Sequence, residues 1–161
     1  MRIRKATIAD AKEIRQIVNE FARKEFMLPL AFDELYEGIR DFIVSEDNGS
    51  IRGVCALHLL WDDNKGKGSG TMLAEIRSLA VKETHQSSGI GKSLVRRCIK
   101  EAEGLGVRKV FALTYRPEFF KKLGFKEIER AKLPHRVWED CRKCYKFPEC
   151  DEHAVILTLS S

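Results

Sequence analysis

The run Gln86-Ser87-Ser88-Gly89-Ile90-Gly91-Lys92-Ser93 places small and hydroxylated residues just ahead of a helical pattern. In that pattern Ile90, Leu94, Val95 and Cys98 recur at helical spacing, with Lys92, Arg96, Arg97 and Lys100 between them. The preceding segment, LAEIRSLAV (73–81), is mostly apolar and β-prone, as a buried strand is. A strand that feeds a Gly/Ser loop into a helix start aims several backbone N–H groups, and the helix's positive end, at one point. The chemistry is anion binding, and a pyrophosphate suits it best. Two familiar phosphate loops are excluded. Gln86 stands where a Walker A loop needs its first Gly, and Leu94 stands where a dinucleotide loop needs its third. A second candidate is Glu75, an acid in an otherwise apolar strand, which is costly unless paired or functional. The two-residue strand period puts Glu75, Arg77 and Leu79 on one face.

The rest of the chain must position these groups. RIRKAT (2–7) alternates as a first strand, and Asp10 is an expected N-cap for a helix burying Ala11, Ile14, Ile17, Val18, Phe21 and Ala22. Pro29 interrupts the chain, and Phe32, Leu35, Tyr36 and Ile39 predict a second short helix. DFIVSED and SIRGVCALHLLWD flank Asn48-Gly49, a strong hairpin signal. DDNKGKGSGT (62–71) predicts a mobile loop. After the 91–103 helix, ended by Gly104 and Gly106, KVFALTY (109–115) predicts a strand, FFKKL a helix, and EHAVILTLS (152–160) a closing strand.

The chain has 161 residues, 43% apolar and 33% charged, which suits one globular domain over 1–161 with no linker or repeat. No apolar run approaches a membrane span and residues 1–20 lack a signal-peptide core, so a cytoplasmic location without membrane partners is expected. A net charge of +5 favours anionic ligands, but its basic residues are interleaved with acids, against a nucleic-acid surface. Five cysteines, an odd number, predict free thiols. Cys141-x2-Cys144-x5-Cys150, with His135 and His153 nearby, is too sparse for a zinc signature, so no metal is expected.

The pattern Q-x-x-G-x-G at Gln86–Gly91 resembles the acetyl-CoA pyrophosphate loop of GNAT-superfamily N-acetyltransferases. The resemblance implies an α/β (α+β) fold: a mixed, mostly antiparallel sheet of six to seven strands flanked by helices. In it the strands holding Glu75 and Thr114 run parallel and splay into the acetyl-CoA cleft. It also implies that Leu79, Ala80 and Val81 pair with the pantetheine arm like an added strand, and that Gln86, Ser87, Ser88, Gly89, Ile90, Gly91, Lys92 and Ser93 meet the pyrophosphate. Four segments go further: LYEGIRDF (35–42), AEIRSLAV (74–81), FALTYRPEFFKKLGF (111–125) and LPHRVWEDCRKCYKFPECDE (133–152). Together they resemble the acetyltransferase domain of short bacterial N-acetylglutamate synthases, which implies transfer to the α-amine of L-glutamate, the first step of arginine biosynthesis. Members of that group usually carry an arginine after the LP at 28–29, as a substrate-carboxylate contact; here the residue is Leu30.

For such a transfer, an α-ammonium must lose a proton before its nitrogen attacks a thioester. Glu75 is the candidate general base, directly or through one water, and backbone N–H groups near Leu79 are candidates for the developing oxyanion. The leaving thiolate, with a pKa of about 8.5, needs little help from an acid. Many GNAT enzymes carry a Tyr where this chain has Phe120, and Tyr115 is the nearest replacement. Arg77, Ser78, Thr114 and Arg116 are the positional candidates for the acceptor's polar groups, with Lys132 and Arg136 further ones. A different amine acceptor and a non-catalytic acyl-CoA sensor remain alternatives, and a homodimer is compatible with the sequence.

Overall fold

The computed structural model describes residues 1–63, 68, 70–86, 88–134, 137 and 152–159. Half of the predicted 62–71 loop (residues 64–67 and 69), Ser87, His135, Arg136 and the three tail cysteines lie outside the described residues. Among the described residues seven strands are present: β1 (Arg2–Lys5), β2 (Phe42–Asp47), β3 (Ser50–Asp62), β4 (Thr71–Val81), β5 (Lys109–Thr114), β6 (Lys126–Ile128) and β7 (His153–Thr158). Among the same residues four α-helices interleave with them: α1 (Ala11–Arg23), α2 (Phe32–Glu37), α3 (Ile90–Gly104) and α4 (Pro117–Lys121). The strands form one sheet in the order β1-β2-β3-β4-β5-β7-β6. Pairings β1–β2, β2–β3, β5–β7 and β6–β7 are antiparallel, whereas β4 and β5 are parallel, with Glu75 opposite Phe111 as the last pair of their ladder. This is the mixed, mostly antiparallel sheet flanked by helices that the sequence implies. The β2–β3 hairpin turns at Asn48 and Gly49, both left-handed with φ of 52° and 79°, as a two-residue turn between right-twisted strands requires.

The chain divides into two compact units, residues 1–58 with 76–105, and 59–75 with 106–161. The first builds its core from Ile14, Ile17 and Val18 of α1, Leu35 of α2, Val44, Ile51 and Val54 of the hairpin, and Ala80 of β4. The amphipathic pattern read along α1 is thus the face it buries. Further along the same unit, Cys55 on β3 and Cys98 on α3 are free, fully buried thiols with sulfurs 3.6 Å apart. The neighbouring Cys98 thiol, together with burial, holds the Cys55 thiol well above its usual range. The second unit packs Leu60, Leu73, Phe111, Leu133, Val137 and Ala154 together. No helix among the described residues is long and apolar enough to cross a membrane, and no group of His, Cys, Asp and Glu among them is arranged to hold a metal.

The expected cap holds in position and differs in bonding. Asp10 is the N-cap residue of α1, with φ −85° and ψ −11°, but its side chain makes no cap hydrogen bond to that helix. Its carboxylate instead accepts the Thr7 N–H at 2.7 Å and two guanidinium bonds from Arg4, at 2.7 and 2.9 Å. Arg4 also donates Nε to Glu46 at 2.6 Å. A cation on the neighbouring strand outcompetes the helix end, because a charge-assisted fork is stronger than a single N–H contact. The Arg4 bonds hold the Asp10 carboxyl down to about 2. Its folded pKa lies below the unfolded value near 3.9, so this stability is complete above about pH 4 and is lost as pH falls toward 2. Urea titrations should show a loss of about 1 kcal/mol over that window, less than the full linkage figure because the pair is partly solvated, and Arg4→Met should flatten it.

Candidate active site

The first unit carries the loop. Gly89 is the N-cap of α3 and sits at φ 85°, where a Cβ would be strained, and among the described residues no atom beyond its chain neighbours and the adjoining helix backbone lies within 4 Å of where that Cβ would be. The first α3 amide closed by the helix is that of Ser93, which donates to the Gly89 carbonyl at 3.0 Å. The N–H groups of Ile90, Gly91 and Lys92 are therefore the first-turn donors that a helix does not satisfy itself. No acidic side chain occupies that turn to neutralise the dipole, and Lys92 adds a positive charge. Open space, unsatisfied donors and positive potential together fit a pyrophosphate.

The loop is held from behind. Gln86 Nε2 donates to the Val81 carbonyl at 3.1 Å, and the Ser88 hydroxyl donates to the His85 carbonyl. Lys24, just past α1, bonds Glu83 in the turn that opens the loop. A Cβ on Gly53 would come within 2.9 Å of Ile90 Cγ2 and 3.1 Å of Leu94 Cδ1, so the missing side chain on β3 lets the start of α3 seat closely. Gln86 thus braces the loop against β4, a contact that the sequence motif alone did not reveal.

In β4, Ser78 has φ 53°. A non-glycine residue there costs on the order of 1 kcal/mol, and it bends the strand so that alternation does not run through it. The expected shared face is corrected: the period joins Glu75 to Arg77 but does not carry on to Leu79. The same bend reorients the peptide leading into Leu79, whose N–H was the expected oxyanion donor. Leu79 and Val81 are half-buried, and Ala80 is 2% exposed within the core.

Two residues on α1 escaped the sequence reading. Asn19 Oδ1 accepts the Leu30 N–H at 2.9 Å, and Arg15 Nε donates to the Leu30 carbonyl at 3.1 Å. The Arg15 guanidinium also lies 4.2 Å over the centre of the Phe32 ring. The available signal was their four-residue spacing, which puts two polar groups side by side along a helix whose next face is core.

The second unit carries Glu75, only 7% exposed, on the parallel ladder with β5. Thr114 ends β5 opposite His153, and its hydroxyl oxygen accepts the Arg116 N–H at 2.8 Å, turning the chain into α4 with Pro117 at the first helical position. Tyr115 is half-buried in that turn; Arg116 and Lys132 are exposed. Phe120 is 4% exposed and packs between Phe119 and Phe125, each at 5.1 Å. That position offers a packed ring and no proton. His153 bonds Glu127 at 2.8 Å.

Comparison with known proteins agrees with this layout. The Acetyltransferase (GNAT) family profile matches residues 10–125. An uncharacterized N-acetyltransferase of Chlorobaculum tepidum is 39% identical over 157 residues, 98% of this chain and 96% of that protein. An amino-acid acetyltransferase of Mycobacterium tuberculosis is 34% identical over 146 residues, 89% of this chain and 78% of its own. The structure of N-acetylglutamate synthase from Neisseria gonorrhoeae, complexed with coenzyme A and N-acetyl-glutamate, matches with a TM-score of 0.85 at 25% identity. That match covers 99% of this chain and 35% of the synthase, so the chain spans about a third of it. The profile takes in α1 through α4, including the loop around Gly89 and the strand carrying Glu75, and the chain belongs to the Acetyltransferase (GNAT) family.

Proposed function

We propose that this acetyl-CoA-dependent acetyltransferase acts as a single domain on the α-amine of an amino acid, with L-glutamate as the preferred acceptor. Acetyl-CoA supplies an activated acetyl thioester, and the residues described above supply its binding and the proton handling. The 86–93 loop holds the pyrophosphate through the first-turn N–H groups of α3, and Leu79, Ala80 and Val81 offer backbone groups to the pantetheine arm. Glu75 takes the proton from the α-ammonium, directly or through one water. The Leu79 N–H, re-aimed by Ser78, meets the charge that develops on the carbonyl oxygen. Arg77, Ser78, Thr114 and Arg116 hold the acceptor's polar groups, and Tyr115 is the candidate acid for the departing thiolate.

The observation that carries the acceptor class is the 34% identity to an amino-acid acetyltransferase over most of both chains. The structural match to the gonococcal N-acetylglutamate synthase, complexed with coenzyme A and N-acetyl-glutamate, supports the choice of glutamate. Leu30 favours a second reading, since an apolar residue at that position suits glutamine, the neutral relative of glutamate. An acceptor screen over the amino acids, polyamines and peptide N-termini, reading released CoA thiol, tests both. Turnover is expected with glutamate, at weak apparent affinity, and Leu30→Arg is expected to improve it. Turnover confined to polyamines or peptides would overturn the amino-acid reading.

A further inference from the structure

Cys55 on β3 and Cys98 on α3 both lie in the first unit, are 0% exposed, and have sulfurs 3.6 Å apart, with the Cys98 thiol donating to the Cys55 sulfur. Their meeting follows from how the helix is seated. Gly53 sits two residues before Cys55 on the same face of the strand, and a Cβ there would come within 2.9 Å of Ile90 Cγ2 and 3.1 Å of Leu94 Cδ1. Leu94 in turn lies one four-residue step before Cys98 on α3. Two strand residues advance about 6.6 Å and four helical residues about 6 Å, so helix and strand stay in register from the glycine contact to the sulfur contact. A buried thiol by itself behaves as a small apolar side chain. Here two of them are set sulfur to sulfur beside the close seat that Gly53 creates. A disulfide holds its sulfurs about 2 Å apart, roughly 1.5 Å nearer than these stand, and small rotations about the two Cα–Cβ bonds supply that distance.

We propose that Cys55 and Cys98 are an oxidative modification site, at which hydrogen peroxide closes a disulfide that staples α3 to β3. One thiol gives up its proton and its sulfur attacks a peroxide oxygen. The O–O bond breaks, hydroxide leaves and takes that proton as water, and the sulfur becomes a sulfenic acid. The second sulfur then attacks the first, the S–O bond breaks, and the departing hydroxide takes the second thiol's proton as water. Two thiols thus lose two electrons and two protons, and one peroxide becomes two waters. Burial sets the pace. With both sulfurs out of solvent and the Cys55 thiol held above its usual range, the peroxide acts when α3 opens locally from the strand, and reclosure brings the sulfenic acid against its partner. The helix so held is the one whose first turn carries the unsatisfied N–H donors. Since the sulfurs already touch in the reduced protein, the staple fixes α3 in the position it already holds.

The test is to treat reduced full-length protein with hydrogen peroxide, alkylate it, digest it without reductant and map the peptides by mass spectrometry. A Cys55–Cys98 cross-link is expected, returned to two free thiols by dithiothreitol. The cross-link joins residues 43 apart in sequence, so the oxidised protein is expected to gain about 5–10 °C in Tm. Cys55→Ala and Cys98→Ala are each expected to show no peroxide-dependent gain, and the mapping in wild type stands whether or not those variants fold. Acetyl-CoA affinity by calorimetry is expected to change less than about 3-fold on oxidation, because Gly89 lies two helical turns from the bond. Both thiols still free after treatment, with or without oxidation at Cys141, Cys144 or Cys150, would overturn the site. Sulfinic acid at either sulfur without the cross-link would do the same. A cross-link that leaves Tm unchanged or lower, or that weakens acetyl-CoA binding beyond that range, would show α3 displaced and overturn the staple.

Discussion

Glu75→Gln is expected to lower kcat about 10²- to 10⁴-fold while leaving acetyl-CoA affinity nearly unchanged, the usual effect of removing a general base. Gln is close in size to Glu and keeps hydrogen-bonding capacity, so a residue that is 7% exposed can be exchanged without opening a cavity. What it cannot do is accept the proton of an α-ammonium. The deficit should therefore shrink as pH rises toward the pKa of the amine, where the free amine no longer has to be generated by the protein. Pre-steady-state rates across pH 6–10, with calorimetry for acetyl-CoA on the same preparations, measure both halves. A variant with wild-type rates at neutral pH would show Glu75 to be structural, a buried acid kept for its partners in the fold.

The second large effect concerns the loop. Gly89→Val places a β-branched residue at φ 85° and a side chain in space that is otherwise open. Backbone strain of about 1–3 kcal/mol and the block to close approach both act on the bound state, so acetyl-CoA affinity should fall about 10- to 100-fold. Strain alone would give a general loss of stability, and Gly106→Val separates the two. Gly106 has nearly the same dihedral, φ 83°, but lies beyond the far end of α3. Its variant should lose stability and keep its acetyl-CoA affinity by calorimetry. Unchanged affinity in Gly89→Val would remove the proposed role of the loop.

Much of this protein is legible without coordinates because the signals are local. The Asn48-Gly49 turn needs left-handed dihedrals at both residues, which those residue types adopt most readily, and the hairpin follows. The α1 and α3 core faces are written at helical spacing, and burial only had to choose the side. The Gln86–Gly91 spacing marks a strand-to-helix anion loop, since Gly89 needs only its own missing Cβ to reach φ 85°. Even the parallel pairing of the strands holding Glu75 and Phe111 came through, by way of the family resemblance.

What tertiary structure decided are contacts whose partners are distant in sequence or whose conformation runs against residue type. Asp10 holds the N-cap position, but Arg4 and Glu46, brought alongside by the β1–β2 pairing, draw its side chain into a charge network. Ser78 carries no local sign of a left-handed backbone, so the bend that turns Leu79 off the face of Glu75 could not be read from period two. Leu30 reads as a lost arginine; only the fold shows Arg15, fifteen residues earlier, bonded to its carbonyl. Periodicity and turn chemistry are set by neighbours along the chain and survive in one dimension. Ion-pair choice, strand strain and the clamp on Leu30 depend on which groups compete for the same partner once the elements pack, and that competition exists only in the folded chain.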